Sequence, residues 1–386
     1  MRKNTSRHGL LAHLCTCALV HLCVGALAAS PLKFSGQVSG WAAGNYGTDW
    51  LGQGGIRYLP ALALGGRTGF GFDLSANAWG EAATDFRDSL TLGLQAKPYR
   101  ALVRYARPRF DARLGLQKIN FGSATLLRPL MWFDRIDPRD PLQLTDGVYA
   151  LLARYFFGRG GNVWAWGLLG NDSTKGWEWI PTEAWKPELG GRVQVQVPRG
   201  ELAATYHYRQ AYWSGPALPE QARHVREHRA GLDARWDLAI GVSVEDVVTF
   251  SQPAVDLFRM HLTPQWQNAL SVGADYTIPL GNGLGLLTEH MLVSTADPEM
   301  ESDARHLTAA TVSYPLGLLD NLRGLVYYDW RNQGLYRFVS WQRTLDNWTF
   351  SIAGFWNPDR PQGFMGGSGG RAGAGKGIQL MVVFNH

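Results

Sequence analysis

Apolar and polar residues alternate one by one along much of this chain. In Arg192–Val197 the odd positions are all valine and the even positions are arginine or glutamine, and Glu201–Tyr208 repeats the alternation after a Pro-Arg-Gly turn. A period of two residues is typical of β-strands, because successive side chains of a strand point to opposite faces. The same pattern recurs in 232–238, 326–331 and 349–356. The chain therefore reads as a series of β-hairpins with one apolar face and one mostly polar face.

Turn signals come in two kinds that alternate along the sequence. Short turns rich in Gly, Pro, Asn and Asp are predicted at 65–69, 106–109, 158–161, 198–200, 239–241, 280–283, 317–321 and 346–347. Mostly longer connections are predicted between them, at 45–54, 80–89, 122–147, 171–188, 214–225, 252–264, 295–303 and 358–375, with a tight exception near 333–334. Short turns on one side and long loops on the other are typical of outer-membrane β-barrels.

These segments predict an all-β fold, a transmembrane antiparallel β-barrel. Counting strands between the connections gives 18, and 16 is the alternative because the stretches 73–105 and 335–344 can be divided in more than one way. A β-propeller would need an internal repeat of blade length, which the sequence does not contain. A sandwich would spread its turn lengths more evenly, and 18 strands are too many for one sandwich. Asp246 falls on the apolar face of 242–250, which predicts a bulge or another strand boundary there.

The first 28 residues read as a secretory signal peptide. Arg2, Lys3 and Arg7 precede a mostly apolar run that ends at the small-x-small sequence Ala-Leu-Ala, residues 26–28. All three cysteines lie in this segment, so residues 29–386 are expected to form a single barrel domain without a disulfide, a thiolate metal site or a cysteine nucleophile. No later apolar run reaches the roughly 18 residues that a membrane helix needs.

The amino-acid composition further limits the class of protein. The chain has 16 Trp, 14 Tyr, 16 Phe and 46 Gly in 386 residues, and only 18% of its residues are charged. The formal net charge is +5, and three of the positive charges belong to the signal segment. The rest of the chain is therefore close to neutral and gives no support to nucleic-acid binding. Arginine outnumbers lysine by 30 to 7, and arginine is suited to planar, bidentate contact with carboxylates and phosphates.

The segment 117–147 is the longest stretch with neither a strand period nor a helix period. It is rich in apolar residues and in paired charges, and Pro129, Pro138 and Pro141 exclude it from the interior of a sheet. Irregular backbone cannot face lipid, so this loop must either cap the mouth of the barrel or fold into its lumen. We predict that it folds toward the lumen and that residues 123–145 set the narrowest section.

Three pieces of this region, 113–122, 137–141 and 146–149, resemble the strand, loop and strand of porin-like barrels of the alginate-export type. They read RLGLQKINFG, DPRDP and DGVY. The resemblance implies an outer-membrane channel of 16 or 18 strands for small or polymeric solutes, often anionic sugars. It would place Arg113, Asp137, Arg139 and Asp140 at the constriction. It does not specify the solute, because such barrels serve many specificities.

Charged residues near the loop are the candidate pore lining. The polar faces of the neighbouring strands carry a row of arginines, with Asp111 as the main opposing charge: Arg100, Arg104, Arg113, Arg154 and Arg192. The loop itself contributes Arg128, Asp134, Arg135, Asp137, Arg139 and Asp140. Acidic groups opposite a basic wall would create a transverse field that filters charged solutes. Alternatively, these charges pair with each other and hold the loop against the wall. The sequence leaves both interpretations open.

Aromatic residues and histidines are less informative. Trp177, Trp179 and Trp185 would suit stacking on sugar rings at a channel mouth, although tryptophans at barrel ends more often form the interfacial girdle. The histidines lie in no recognised catalytic motif, and the neighbours Glu289 and His290 would point to opposite faces of a strand. We therefore expect no enzymatic activity, no cofactor and no metal site.

Together these features predict a porin in the outer membrane of a Gram-negative bacterium. It would pass small polar solutes by passive diffusion, with a lean toward anionic or sugar-like solutes. Its other contacts would be outer-membrane lipid, and assembly into a homo-oligomer is left open. One alternative is a barrel that sheathes or supports a protein partner in an export or electron-transfer assembly. A second alternative, with less support, is an outer-membrane hydrolase.

Overall fold

The computed structural model describes residues 32–46, 50–65, 69–86, 89–158, 160–213, 223–253, 255–257, 260–297, 300–359 and 375–386. The signal peptide predicted at 1–28 lies outside these residues, as do most of the loops predicted at 214–225 and 358–375. Within the described part of the chain, no helix is long and apolar enough to cross a membrane.

Eighteen strands form one antiparallel sheet that closes on itself, because β1 pairs with both β2 and β20. A separate hairpin, β12–β13, completes the set of described strands. The predicted 18-stranded barrel is therefore confirmed, and the 16-stranded alternative is wrong. The strands are β1 Leu32–Tyr46, β2 Trp50–Gly65, β3 Phe70–Thr84, β4 Leu90–Arg107, β5 Phe110–Gln117, β6 Val148–Phe156, β7 Asn162–Leu168, β8 Glu188–Val197, β9 Gly200–Tyr212, β10 His224–Asp237, β11 Gly241–Gln252, β12 Val255–Leu257, β13 Met260–Thr263, β14 Trp266–Ile278, β15 Leu284–Asp297, β16 Met300–Pro315, β17 Asp320–Asp329, β18 Gly334–Thr344, β19 Trp348–Trp356 and β20 Lys376–Asn385.

The alternation along each strand separates an apolar outer surface from the lumen. Large apolar side chains on the outer face are exposed on strand after strand, for example Leu74, Leu92 and Leu114 at 42%, 74% and 60%. A closed barrel leaves no unpaired strand edge, so its backbone groups are satisfied and its apolar face can lie against hydrocarbon. This architecture confirms the predicted location in the outer membrane and the predicted contact with lipid.

In two of the predicted long connections, most of the described residues are in fact strand. The β1–β2 ladder continues to the pair Tyr46 and Trp50, and the β15–β16 ladder continues to the pair Asp297 and Met300. The long loops predicted at 45–54 and 295–303 are therefore wrong. Glycine and small polar residues suggested loops, but the backbone there satisfies its hydrogen bonds by extending the hairpins.

The bulge predicted at Asp246 is also wrong. The registers of β11 with β10 and with β14 run without interruption, and Asp246 lies opposite Leu232 and Leu270 on the outer face. Asn268 Nδ2 donates a hydrogen bond to Asp246 Oδ1 at 2.6 Å. A cross-strand amide therefore satisfies the outward carboxylate without a change of register.

Candidate functional site

The loop between β5 and β6, residues 118–147, crosses the lumen and is anchored on the far wall. Glu289 of β15 accepts hydrogen bonds from the backbone N–H groups of Thr125, Leu126 and Leu127 at 2.7, 2.8 and 2.6 Å. Around the closed sheet β15 lies nearly opposite β5. Because contacts between opposite walls can only pass through the interior, the prediction that this loop folds toward the lumen is confirmed.

A second buried carboxylate holds the same loop. Glu245 of β11 accepts hydrogen bonds from the backbone N–H groups of Ala124 at 2.7 Å and Leu130 at 3.1 Å. Glu245 and Glu289 are 0% and 1% exposed. Buried backbone N–H groups need an acceptor, and the carboxyl oxygens of these two side chains supply it. The two glutamates therefore fix the turn at 124–130 against strands β11 and β15.

Apolar side chains of the loop pack against two different parts of the barrel wall. Loop residues on either side of the turn at 124–130 form one buried cluster with residues of β6, β7 and β11. The loop contributes Ile119, Phe121, Leu130, Trp132 and Phe133, and the wall contributes Val148, Ala150, Leu152, Trp166, Leu168 and Val247. Leu126 and Leu127 pack into a second cluster with residues of β15 to β18: Met291, Leu307, Ala309, Leu325, Tyr327 and Tyr336. The loop thus has its own hydrophobic core inside the barrel, which explains why its sequence is apolar but has no strand period.

The connection between β7 and β8, residues 169–187, also folds inward and packs on the first loop. Trp177 Nε1 donates to the carbonyl of Arg128 at 2.8 Å. Gly176 has a φ of +46°, and a Cβ added there would lie 1.7 Å from the carbonyl oxygen of Met131, so only glycine fits this contact. Arg135 Nη2 donates to Thr174 Oγ1 at 2.8 Å. The two loops therefore form one layer across the lumen.

A buried ionic network joins the second loop to the wall. Lys175 Nζ lies 3.0 Å from Glu188 Oε1, and Arg209 Nη1 lies 3.3 Å from Glu178 Oε2. Arg209 also pairs with Glu227 of β10 at 2.9 Å. These side chains are almost completely shielded from solvent. Every charge in the network has an opposite partner, as burial requires, so this part of the wall is a support for the loops.

Several predicted pore residues belong to this supporting structure. Arg128 and Asp134 form an ion pair of 2.8 Å inside the first loop, with side chains 9% and 1% exposed. Arg192 pairs with Asp233 at 2.5 Å, and both side chains are buried. Arg135 binds the second loop. Because their charged groups are used in these contacts, Arg128, Asp134, Arg135 and Arg192 help to hold the loops, and their contact with solute stays a prediction.

The remaining predicted residues lie along a basic wall beside the loop. Lys97, Arg100 and Arg104 follow one another along the inner face of β4, Arg113 lies opposite Arg104 on β5, and Arg154 lies on β6. Arg100 Nη2 donates to the carbonyl of Thr145 at 3.0 Å, which joins the wall to the loop. Positive side chains therefore line the lumen from the level of the loop toward the short-turn end of the barrel.

The loop presents both signs of charge to this space. Arg139 and Asp137 pair with each other at 2.6 Å and remain partly exposed, at 28% and 39%. Asp140 accepts hydrogen bonds from the N–H groups of Leu142 and Leu144 at 2.9 and 3.4 Å. Burial raises the pKa of the Asp140 carboxyl, although these two donors and Arg57 act in the opposite direction. Asp137 and Arg139 therefore neutralise each other, Asp140 remains as the acidic group of the loop edge, and the wall carries the excess of positive charge.

Two inward arginines are stacked on tryptophan and form no ion pair with any described residue. The guanidinium carbon of Arg154 lies 3.7 Å from the centroid of Trp164, and that of Arg57 lies 5.4 and 5.7 Å from the centroids of Trp41 and Trp79. The Nε atoms of both arginines are buried without a hydrogen-bond partner in the described part of the chain. Sequence reasoning missed Arg57, Glu245 and the inward course of residues 169–187.

Comparison with known proteins agrees with the architecture. No protein-family model and no curated protein matches the chain. Among solved structures it is similar to OccAB1 of Acinetobacter baumannii, with a TM-score of 0.56 and 8% identity over 92% of this chain and 96% of that chain. OpdQ of Pseudomonas aeruginosa has a TM-score of 0.53 and 11% identity over 92% of this chain and 98% of that chain. OmpF of Salmonella typhi has a TM-score of 0.51 and 12% identity over 92% of this chain and 98% of that chain.

The chain has the fold of an outer-membrane porin. At these identities the likeness concerns the fold alone. The resemblance predicted from 113–149 is thus supported for outer-membrane porins in general, and the narrower alginate-export type stays a prediction. Among the described residues, no group of three or more His, Cys, Asp or Glu side chains is arranged to hold a metal ion.

Proposed function

We propose that this protein is an outer-membrane channel for the passive diffusion of small anionic solutes. The observation that carries the proposal is the excess of cations on the wall beside the loop. Arg57, Arg100 and Arg154 face the lumen and form no ion pair with any described residue, although Asp140 and Asp146 act on Arg57 and Arg100 from beyond ion-pair distance. Fixed unpaired charge inside a low-dielectric wall concentrates counter-ions and raises their rate of entry.

The inward loops favour a small solute over a protein partner. Residues 118–147 reach from β5 to β15, and residues 169–187 pack on them. A barrel that sheathes a polypeptide needs an open lumen, whereas a layer of loops suits a channel that sorts small molecules. The hydrolase alternative gains no support from His207, which is fully buried between Trp166 and Glu188.

The preference for sugar-like solutes rests on the second loop. Trp179 and Trp185 are 68% and 80% exposed, so their rings are free to stack on a solute. Trp177 is turned inward and packs against the cluster of Leu126 and Leu127. We therefore keep Trp179 and Trp185 as candidate sugar contacts and remove Trp177 from that role.

Ion selectivity in planar bilayers tests the proposal. Under a KCl gradient, the protein should give discrete conductance steps and a reversal potential on the anion-selective side. The double variant Arg57→Gln, Arg100→Gln should move the reversal potential toward cations, because both residues contribute unpaired charge. The double variant Arg235→Gln, Asp275→Asn is the control, since it removes a lumen-facing ion pair of 2.9 Å without changing the net charge of the lumen. Clear cation selectivity of the unaltered protein, or no conductance at all, would overturn the proposal.

A further inference from the structure

Three arginines surround a single aspartate near the short-turn end of the basic wall. Asp111 of β5 accepts hydrogen bonds from Arg104 Nε at 2.9 Å and from Arg113 Nε at 3.0 Å. Arg154 of β6 lies directly opposite Asp111 in the register, and Arg104 lies directly opposite Arg113. Like charges that face each other across a sheet are destabilising. One carboxylate for three guanidinium groups leaves this cluster with two positive charges in excess.

The cluster is open to the lumen on the side of Arg104. The side chains of Arg104 and Arg113 are 45% and 23% exposed, while Asp111 is 9% exposed beneath them. Asp111 is thus already saturated by its two partners, and it forms no ion pair with Arg154. A solute that reaches this point meets guanidinium groups on β4, β5 and β6, and the carboxylate of Asp111 is covered by Arg104 and Arg113.

Arg154 is held in place by an aromatic ring and not by an acid. Its guanidinium carbon lies 3.7 Å from the centroid of Trp164, the residue opposite it on β7. The Arg154 Nε and Trp164 Nε1 atoms are both buried and have no hydrogen-bond acceptor in the described part of the chain. Leaving such donors unmatched costs about 1–3 kcal/mol each. The ring therefore fixes the position of Arg154, whose Nη groups are not buried and form no hydrogen bond with a described residue, so these are the groups that an anion in the lumen can reach.

We propose that Arg104, Arg113 and Arg154 form a binding site for a small dicarboxylate on its way through the channel. The inference rests on the proposed function and adds the class of solute to it. The two excess charges come from side chains rooted on strands β4 to β6, which are about 5 Å apart from neighbour to neighbour. Two carboxylates at the ends of a short chain match separated charges better than one compact group does, and a monocarboxylate leaves one charge uncompensated.

Inhibition of chloride current by succinate tests this site. Single channels of the intact protein would be recorded in KCl at neutral pH with added succinate, butyrate or inorganic phosphate. Butyrate has the carbon chain length of succinate and lacks the second carboxylate, and phosphate supplies compact negative charge. Succinate should reduce the chloride current at concentrations at which butyrate has no effect, and phosphate should be the weaker inhibitor of the two dianions.

Variants show which residues are responsible for inhibition by succinate. Arg154→Gln should weaken inhibition by succinate about tenfold, the size expected for one charge-assisted hydrogen bond, and Arg104→Gln should do the same through the exposed side of the cluster. Trp164→Leu keeps the charge but removes the stack, so it should weaken inhibition by succinate, whereas Trp164→Phe, which keeps an aromatic face, should retain it. The charge-neutral double variant Arg235→Gln, Asp275→Asn serves as the control. The slower migration of boiled than unboiled protein on a gel verifies that each variant is folded.

The outcomes separate the two proposals. An anion-selective channel on which succinate and butyrate act alike, or on which Arg154→Gln and Arg104→Gln leave inhibition by succinate unchanged, overturns the dicarboxylate site and leaves the proposed function standing. Strong inhibition by phosphate without inhibition by succinate overturns it as well. A cation-selective or non-conducting protein overturns the proposed function itself, and the dicarboxylate site with it.

Discussion

Replacing Glu289 by glutamine should loosen the loop that crosses the lumen. In the native protein one oxygen of Glu289 accepts from Thr125 N–H, and the other accepts from both Leu126 N–H and Leu127 N–H. Glutamine offers one carbonyl oxygen and places an NH₂ donor where the second oxygen was. In its better orientation it loses the bond to Thr125, and the two remaining bonds change from charge-assisted to neutral.

The magnitude follows from these three bonds. A hydrogen bond to a charged group contributes about 1.5–3 kcal/mol and a neutral one about 1 kcal/mol. The anchor should therefore weaken by about 3–5 kcal/mol. A loss of about 3 kcal/mol raises the population of the detached loop roughly a hundredfold. Glu245 and the two apolar clusters still hold the loop, so the barrel should fold normally.

Single-channel recording detects a detached loop. Glu289→Gln should show larger current fluctuations and conductance levels above that of the native channel, because the wall and not the loop then sets the narrowest section. Glu81→Gln is the control, since Glu81 lies on the inner face of β3, is exposed and makes no contact with the loop among the described residues. If the two variants have the same noise and the same conductance, the anchoring role of Glu289 is refuted.

Three further outcomes are expected. Deleting 123–145 should raise single-channel conductance, and an unchanged conductance would show that the loop does not set the narrowest section. Since the pKa of Asp140 is raised, its carboxylate is neutralised at a less acidic pH than an ordinary aspartate, so anion selectivity should increase as pH falls, and Asp140→Asn should remove this part of the pH dependence. Asp246→Leu should stabilise the barrel against urea by about 1–3 kcal/mol if this face contacts lipid; destabilisation would instead indicate a protein contact there.

The barrel could be predicted from local patterns in the sequence. Period-two alternation in segments such as Arg192–Val197 assigns strands and their faces, because strand geometry leaves no other way to sort apolar from polar side chains. The alternation of short and long connections then orients the hairpins. The same period of two predicted correctly that Glu289 and His290 point to opposite faces, since Glu289 is buried and His290 is exposed. It failed at 45–54, where glycine permits both loop and strand and the pairing partner decides.

The sequence narrowed the course of the loop but did not specify it. Pro129, Pro138 and Pro141 exclude sheet, and lipid excludes irregular backbone, so the loop had to be inside the barrel or above it. Its anchors could not be found, because Glu245 and Glu289 are separated from residues 124–130 by more than a hundred positions in the chain. Only closure of the sheet brings them together.

Tertiary structure also decided which charges are available to a solute. In the sequence Arg154 and Arg192 look alike, each on the polar face of a strand near the loop. In the barrel Arg192 meets Asp233, whereas Arg154 meets the ring of Trp164. A charged side chain that is paired in a buried position holds the structure together. A charged side chain that stacks on a ring without a counter-charge still attracts ions of opposite charge in the lumen. That difference depends on partners from distant strands, so it is a property of the closed barrel and not of any local sequence.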